Sequence, residues 1–169
     1  MTRNPFLSLV ISAMALASCA PQPGGPYRDG KVAISSTTAF DPAGFLGPWE
    51  QVAAFGPEAA CGRLTEVWSQ ENGGLLVRAE ACRAGQRHTA ESPVRIVGPG
   101  RLSRGGLTGR EEWILWIDAD QRVAAVGAPD GSFGRILARP GQARADLLEA
   151  ARQVLDFNGY DISRLIFAK

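Results

Sequence analysis

Between Glu112 and Arg139 the sequence EEWILWIDADQRVAAVGAPDGSFGRILAR holds three short apolar runs, WILWID, RVAAVGA and SFGRILAR. Asp118-Ala119-Asp120 sits at the junction of the first pair, followed by Gln121, and Pro129-Asp130-Gly131 lies between the second. Connections this short join antiparallel neighbours, because a parallel crossover needs about a dozen residues or more. The block therefore reads as a β-meander, and a helix comes after it. From Ala143 to Asn158, Leu147, Leu148, Ala151, Val154 and Leu155 fall on one helical face, while Arg144, Asp146, Glu149, Arg152 and Asp156 fall on the other. Gly159 supplies the left-handed stop. One amphipathic helix after a meander has only the outside of the sheet on which to bury its stripe.

The chain before this block supplies more strands. Asp41 and Pro42 cap a single helical turn over Pro42–Leu46, and Gly47-Pro48-Trp49 leads into a strand over Glu50–Phe55. Two alternating runs between Cys61 and Gly85 flank Glu71-Asn72-Gly73, a hairpin signal. Gln86–Val97 and Arg101–Arg104 read as further strands, and Gly105–Gly109 as a flexible loop. The total is about eight strands. The 169 residues suffice for one domain with its own core. Lys plus Arg number 18 against 17 Asp plus Glu, which lacks the clustered basic surplus of a nucleic-acid binder. The single histidine, His88, has no acidic partner near it in sequence, which speaks against nucleophilic catalysis. No enzyme activity and no cofactor are expected.

Three cysteines need separate accounts. Met1-Thr2-Arg3, the apolar run Phe6–Leu16 and then Leu16-Ala17-Ser18-Cys19 form a secretory signal, too short in its apolar part to span a bilayer. The tetrad LASC looks like the lipobox of bacterial lipoproteins. That resemblance implies cleavage before Cys19, acylation of Cys19 and, with no aspartate following, a place on the periplasmic side of the outer membrane. Residues 1–18 are then the signal peptide. Residues 19–39, rich in Pro, Gly and Ser, are a flexible tether, and the folded domain spans 40–169. A hairpin centred between Glu71 and Asn72 sets Cys61 opposite Cys82. In an oxidising compartment the simplest reading is a disulfide closing about 20 residues, contributing ~3 kcal/mol, with free thiols or a metal site as alternatives.

Eight antiparallel strands in sequence, a Gly-x-Trp at the entry and a helix after the last strand together resemble the lipocalins. The similarity is greatest to bacterial outer-membrane lipocalins, relatives of apolipoprotein D. Gly47-Pro48-Trp49 matches the family's first conserved region, Ile117-Asp118-Ala119-Asp120 loosely its second, and Arg139 its third. The tail AARQVLDFNGYDISRLIF is similar to the bacterial subgroup throughout. The chain departs from relatives at Glu50, where Tyr is common, at Arg135, where Trp is common, and in a shortened loop near Gly105. The resemblance implies an eight-stranded up-and-down barrel with the helix packed outside. Arg139 would lie over Trp49 at the closed end, beside Gly47.

It also implies a small hydrophobic ligand, a fatty acid or lysophospholipid, entering the open end. The resemblance places Trp113, Leu115 and Ile117 under the helix, and alternation from there gives an expected lining of Trp68, Glu112, Ile114, Trp116, Phe133, Arg135 and Leu137. An inward Arg135 would need a carboxylate or phosphate partner, either Glu112 or the head group of a ligand. The expected partners are that ligand, the membrane through the N-terminal lipid, and a second copy in a homodimer; nucleic acid is not among them. Competing functions are a periplasmic protease-inhibitor barrel and a structural envelope lipoprotein with a filled barrel.

Overall fold

The computed structural model describes residues 26–105 and 110–169. The expected signal peptide, Cys19, the start of the expected tether and most of the Gly105–Gly109 loop lie outside the described residues. After a single turn α1 (Pro42–Phe45), the strands are β1 (Gly47–Phe55), β2 (Leu64–Glu71), β3 (Gly74–Arg83), β4 (Gln86–Gly98), β5 (Arg101–Arg104), β6 (Arg110–Ile117), β7 (Val123–Gly127) and β8 (Gly134–Ala138). The helix α2 (Ala145–Phe157) and a short strand β9 (Leu165–Phe167) complete the chain. Each strand from β2 to β8 pairs antiparallel with the next, and β1 pairs with both β8 and β2. The result is a closed eight-stranded barrel. The ninth strand extends the edge of β1 beyond the end of β2, pairing Leu165–Phe167 with Ala53–Phe55.

The α2 stripe packs where the meander predicted. Ala151 and Leu155 are buried, and Leu147, Leu148 and Val154 cover the outer residues Val123, Ala125, Ile136 and Ala138. This explains why β7 and β8 are buried at every position: one face fills the barrel and the other carries the helix. Tyr160, just past α2, donates its hydroxyl to the carbonyls of Ala128 and Phe133. A Cβ on Gly127 or Gly134 would lie 2.3 or 2.7 Å from the Tyr160 side chain, so both glycines are required for that approach.

Three expectations are corrected. The first concerns β6, where pairing steps from Ile114↔Val126 to Trp116↔Ala125 and leaves Leu115 as a bulge. An extra residue reverses alternation beyond it. Ile114 faces inward as expected, but Trp116 packs outward with the helix-side cluster and Ile117 joins the barrel interior. The second concerns the β2–β3 hairpin. Its turn is Asn72-Gly73, both with positive φ, and Trp68 faces Val77. Strand register therefore does not oppose Cys61 to Cys82. The disulfide forms nonetheless, because Cys61 ends a 3₁₀ turn (Gly56–Cys61) that brings its Cα to 5.6 Å from that of Cys82.

The third correction concerns the expected tether, which is docked from Tyr27 onward. Tyr27 is buried, stacks on Phe55 at 5.4 Å and donates its backbone N–H to Gly131 O at 2.7 Å. The Arg28 guanidinium donates to the carbonyls of Asn158, Pro129 and Val32. From there the chain runs along the barrel to the opposite end, where Thr37 N–H donates to Ile114 O.

That opposite end is closed. Trp49 is fully buried, stacks on Phe45 at 4.4 Å and donates Nε1–H to Phe45 O. The Arg139 guanidinium lies 4.0 Å over the Trp49 ring. It donates to the carbonyls of Gly44 (2.6 Å), Leu46 (2.8 Å), Pro48 (3.0 Å) and Gln121 (3.3 Å). Gly47 sits at φ +94° beside it. Arg139→Ala removes every one of these donors and the ring contact, and is expected to lower stability by about 2–4 kcal/mol in urea unfolding.

Candidate functional site: an ionic floor beneath an open cavity

The barrel interior has three levels. At the closed end, Phe45, Trp49, Trp68, Leu102, Ile114, Ile117, Ala124 and Leu137 are packed into one apolar cluster. Trp68, Ile114 and Leu137, expected around a ligand, are core here. Above them lies a layer of charge. Strand alternation turns Glu66 inward from β2, Arg104 from β5, Arg110 and Glu112 from β6, and Arg135 from β8. Arg135 contacts Glu112 at 2.8 Å and Glu66 at 3.1 Å. Arg104 contacts Glu66 at 2.9 Å and Glu112 at 3.4 Å, and Arg110 reaches Glu112 at 2.9 Å. Trp68 Nε1–H donates to Glu66 at 2.8 Å, joining the layer to the core below.

Burial alone would raise the pKa of Glu112, but Arg104, Arg135 and Arg110 overcome that and hold it down at about 2. Glu66 is lowered in the same way: burial opposes ionisation, and Arg135 and Arg104 outweigh it. Burial likewise disfavours the charged form of Arg135, yet Glu66 and Glu112 raise its pKa and keep it protonated. Of the two partners expected for Arg135, the internal one is present, and it is doubled. Glu66, Arg104 and Arg110 were not singled out in the sequence. Glu66 lies two residues before Trp68 on the same face of an alternating strand, and that signal was available.

Above the charged layer is a cavity of about 480 Å³. Its walls include Val77, Ala79 and Ala81 of β3, Ala90 and Ser92 of β4, Phe133, and Tyr27 from the docked N-terminal segment; Arg104, Arg110 and Arg135 form its floor and flank. Small side chains on β3 and β4 leave the space open. Among the described residues expected to meet a ligand, Phe133 and Arg135 line this cavity. Glu112 lies in the ionic layer beneath, and Trp116 is on the other face of the sheet.

A closed antiparallel barrel of eight strands, sealed at one end, open at the other and carrying a helix on its outer wall, defines the lipocalin class of β-barrel. Comparison agrees: the family described as "Lipocalin-like domain" matches residues 41–169, and the chain belongs to that family. It is similar to temperature-induced lipocalin-1 of Arabidopsis thaliana, with 25% identity over 139 residues, covering 72% of this chain and 74% of that protein. Among solved structures, insecticyanin of the tobacco hornworm Manduca sexta superposes with a TM-score of 0.64 at 16% identity, covering 86% of this chain and 87% of that one. The cockroach allergen Per a 4 gives 0.63 at 13% identity, covering 83% and 96%. These structures share the fold.

Two outcomes test the ionic layer. Arg135→Leu leaves Glu66 and Glu112 sharing Arg104 and the half-exposed Arg110, and should cost about 3–5 kcal/mol in urea unfolding. The double change Arg135→Leu with Glu112→Leu returns the buried layer to one pair and should recover most of that loss. With pH the sign is set by depression of the carboxylates. The folded pKa of Glu112, about 2, lies below its ordinary 4.5. Its contribution is therefore complete above pH 4.5 and lost as pH falls toward 2. Urea midpoints measured from about pH 6 to about pH 2 should decline within that window, and the double variant should show a shallower decline.

Proposed function

We propose that this chain is an outer-membrane-anchored lipocalin of the bacterial type, carrying one fatty acid or lysophospholipid in its barrel for lipid transport, storage or membrane maintenance. The observation that carries the reading is the open cavity of about 480 Å³, a volume suited to a single small amphiphile. Lipocalins are typically carriers of small hydrophobic molecules and not enzymes, and the open end of this barrel offers apolar walls with a polar floor.

Support for the anchor comes from the sequence Leu16-Ala17-Ser18-Cys19 together with the docking of Tyr27. Cys19 lies seven residues before Pro26, and Tyr27 lines the cavity. An acylated Cys19 would hold the open end within ~25 Å of the bilayer surface, the reach of seven extended residues. A ligand leaving the membrane would then meet the cavity directly.

The competing reading, a structural lipoprotein with a filled barrel, draws on the packed lower half of the interior. Native mass spectrometry of the soluble polypeptide Ala20 to Lys169, which lacks the acylated Cys19, separates the two. A co-purifying lipid or stoichiometric uptake of fatty acid is expected for a carrier. An empty chain that takes up neither fatty acid nor lysophospholipid supports the structural role. In cells, Cys19→Ser should move the protein from the outer-membrane fraction to the soluble periplasm; continued membrane attachment would refute the anchor.

A further inference from the structure

The ionic layer has more hydrogen-bond donors than its own acceptors can use. Three guanidinium groups, Arg104, Arg110 and Arg135, meet two buried carboxylates, Glu66 and Glu112, and Arg110 also comes within 3.6 Å of the more exposed Glu58 on the cavity wall. Each guanidinium carries five N–H donors, while a carboxylate offers about four lone-pair sites. The carboxylates are already engaged: Glu66 by Arg104, Arg135 and Trp68, and Glu112 by all three arginines. The Nε atoms of Arg104 and Arg135 are buried without a hydrogen-bond acceptor among the described residues. Arg104 Nε comes within 3.4 Å of Glu112, an ion-pair contact that makes no hydrogen bond. Arg135 is only 5% exposed, yet it lines the cavity, as does Arg104. An unmet donor in such a place is costly unless an acceptor arrives.

We infer that this floor is a receptor for a compact oxyanion, and that an amphiphile enters the barrel head first, with its carboxylate or phosphate monoester against Arg104 and Arg135 and its chain toward the mouth. This rests on the carrier reading above and adds the orientation and the head-group class. The arrangement selects by acceptor number as well as by charge. A carboxylate brings two acceptor oxygens and a charge to the guanidinium groups, and a primary alcohol with the same chain brings a single oxygen and no charge. A cationic head meets three guanidinium groups at the floor, and Glu58 and Glu80 are the carboxylates that also line the cavity.

The test uses the soluble polypeptide Ala20 to Lys169 and displacement of a fluorescent apolar probe by hexadecanoate, hexadecyl phosphate, hexadecanol and hexadecyltrimethylammonium at neutral pH. The two oxyanions should bind at least tenfold more tightly than the alcohol, and the cation more weakly still. Arg104→Gln should reduce the preference for oxyanion over alcohol to less than threefold. Arg110→Gln, at a half-exposed position that tolerates change, should reduce it partly. Orientation is read separately, on the unmodified protein. Trp68 lies beneath Arg104, 5.5 Å from its guanidinium carbon. Hexadecanoate brominated next to its carboxylate should therefore quench tryptophan emission more than the same acid brominated near its methyl end, and Trp68→Phe should remove the difference. Equal affinity for acid and alcohol, or stronger quenching from the methyl end, overturns the head-first inference and leaves the carrier reading intact. Failure of every amphiphile to displace the probe removes the carrier reading itself.

Discussion

β1 pairs on both edges, with β8 over Glu50–Ala54 and with β2 over Gly47–Gln51. Everything else in the fold depends on that double pairing. Closure removes the free edges of an eight-stranded sheet and fixes the interior cross-section at a width that side chains can just fill. Every inward position must then be either packed or left as cavity. The lower positions are large and apolar, and they meet around Phe45 and Trp49. The upper positions of β3 and β4 are Ala79, Ala81, Ala90 and Ser92, too small to reach across. The cavity is the volume these residues leave, and its depth is set by where the arginines and glutamates begin.

The charged layer is not explained by stability alone. Removing charges from water is expensive, and well-packed apolar residues of similar volume commonly do as well or better. What the layer adds is a charged surface held rigidly between the packed apolar core and the open cavity. Four strands contribute to it, and Glu66, Glu112, Arg104 and Arg135 each pair with at least two opposite charges, so each is held from more than one side. Glu66 and Glu112 remain ionised because the guanidinium groups are fixed around them, and the guanidinium groups stay fixed because the carboxylates hold them. Preorganisation of this kind lets donors wait for a ligand oxygen without reorganising.

How far the sequence reveals this depends on the kind of signal. The helix stripe was legible because its period survives over the whole helix, and the closing pair Trp49–Arg139 because the flanking motifs are local. Inward positions on β8 were legible too, since Phe133, Arg135 and Leu137 alternate without interruption. Trp116 and Ile117 were not, because one unpaired residue, Leu115, reverses the parity of the residues after it, and nothing in WILWID marks which residue is extra. The hairpin register slipped by the same logic: Glu-Asn-Gly-Gly admits more than one two-residue turn, and the observed one needs positive φ at Asn72 and Gly73. Tyr27 and Arg28 carry no periodicity at all. Their docking depends on partners far along the chain, at Gly131, Asn158 and Tyr160, and composition alone reads the segment as free.

The two ends of the barrel use the same residue type for opposite purposes. Arg139 has four backbone carbonyls within reach of its donors and an indole beneath its plane. Those acceptors belong to α1, to the β1 entry and to the β6–β7 turn, so four of its five donors are met and three segments are tied together. Arg104 and Arg135 pair with carboxylates that they share with each other and, at Glu112, with Arg110. Acceptors fall short of donors at the Nε of each, in two residues that line the cavity. A guanidinium well supplied with acceptors makes a seal, and one with too few makes a receptor. In this chain that difference, more than the number of charges, distinguishes the closed end of the barrel from the open one.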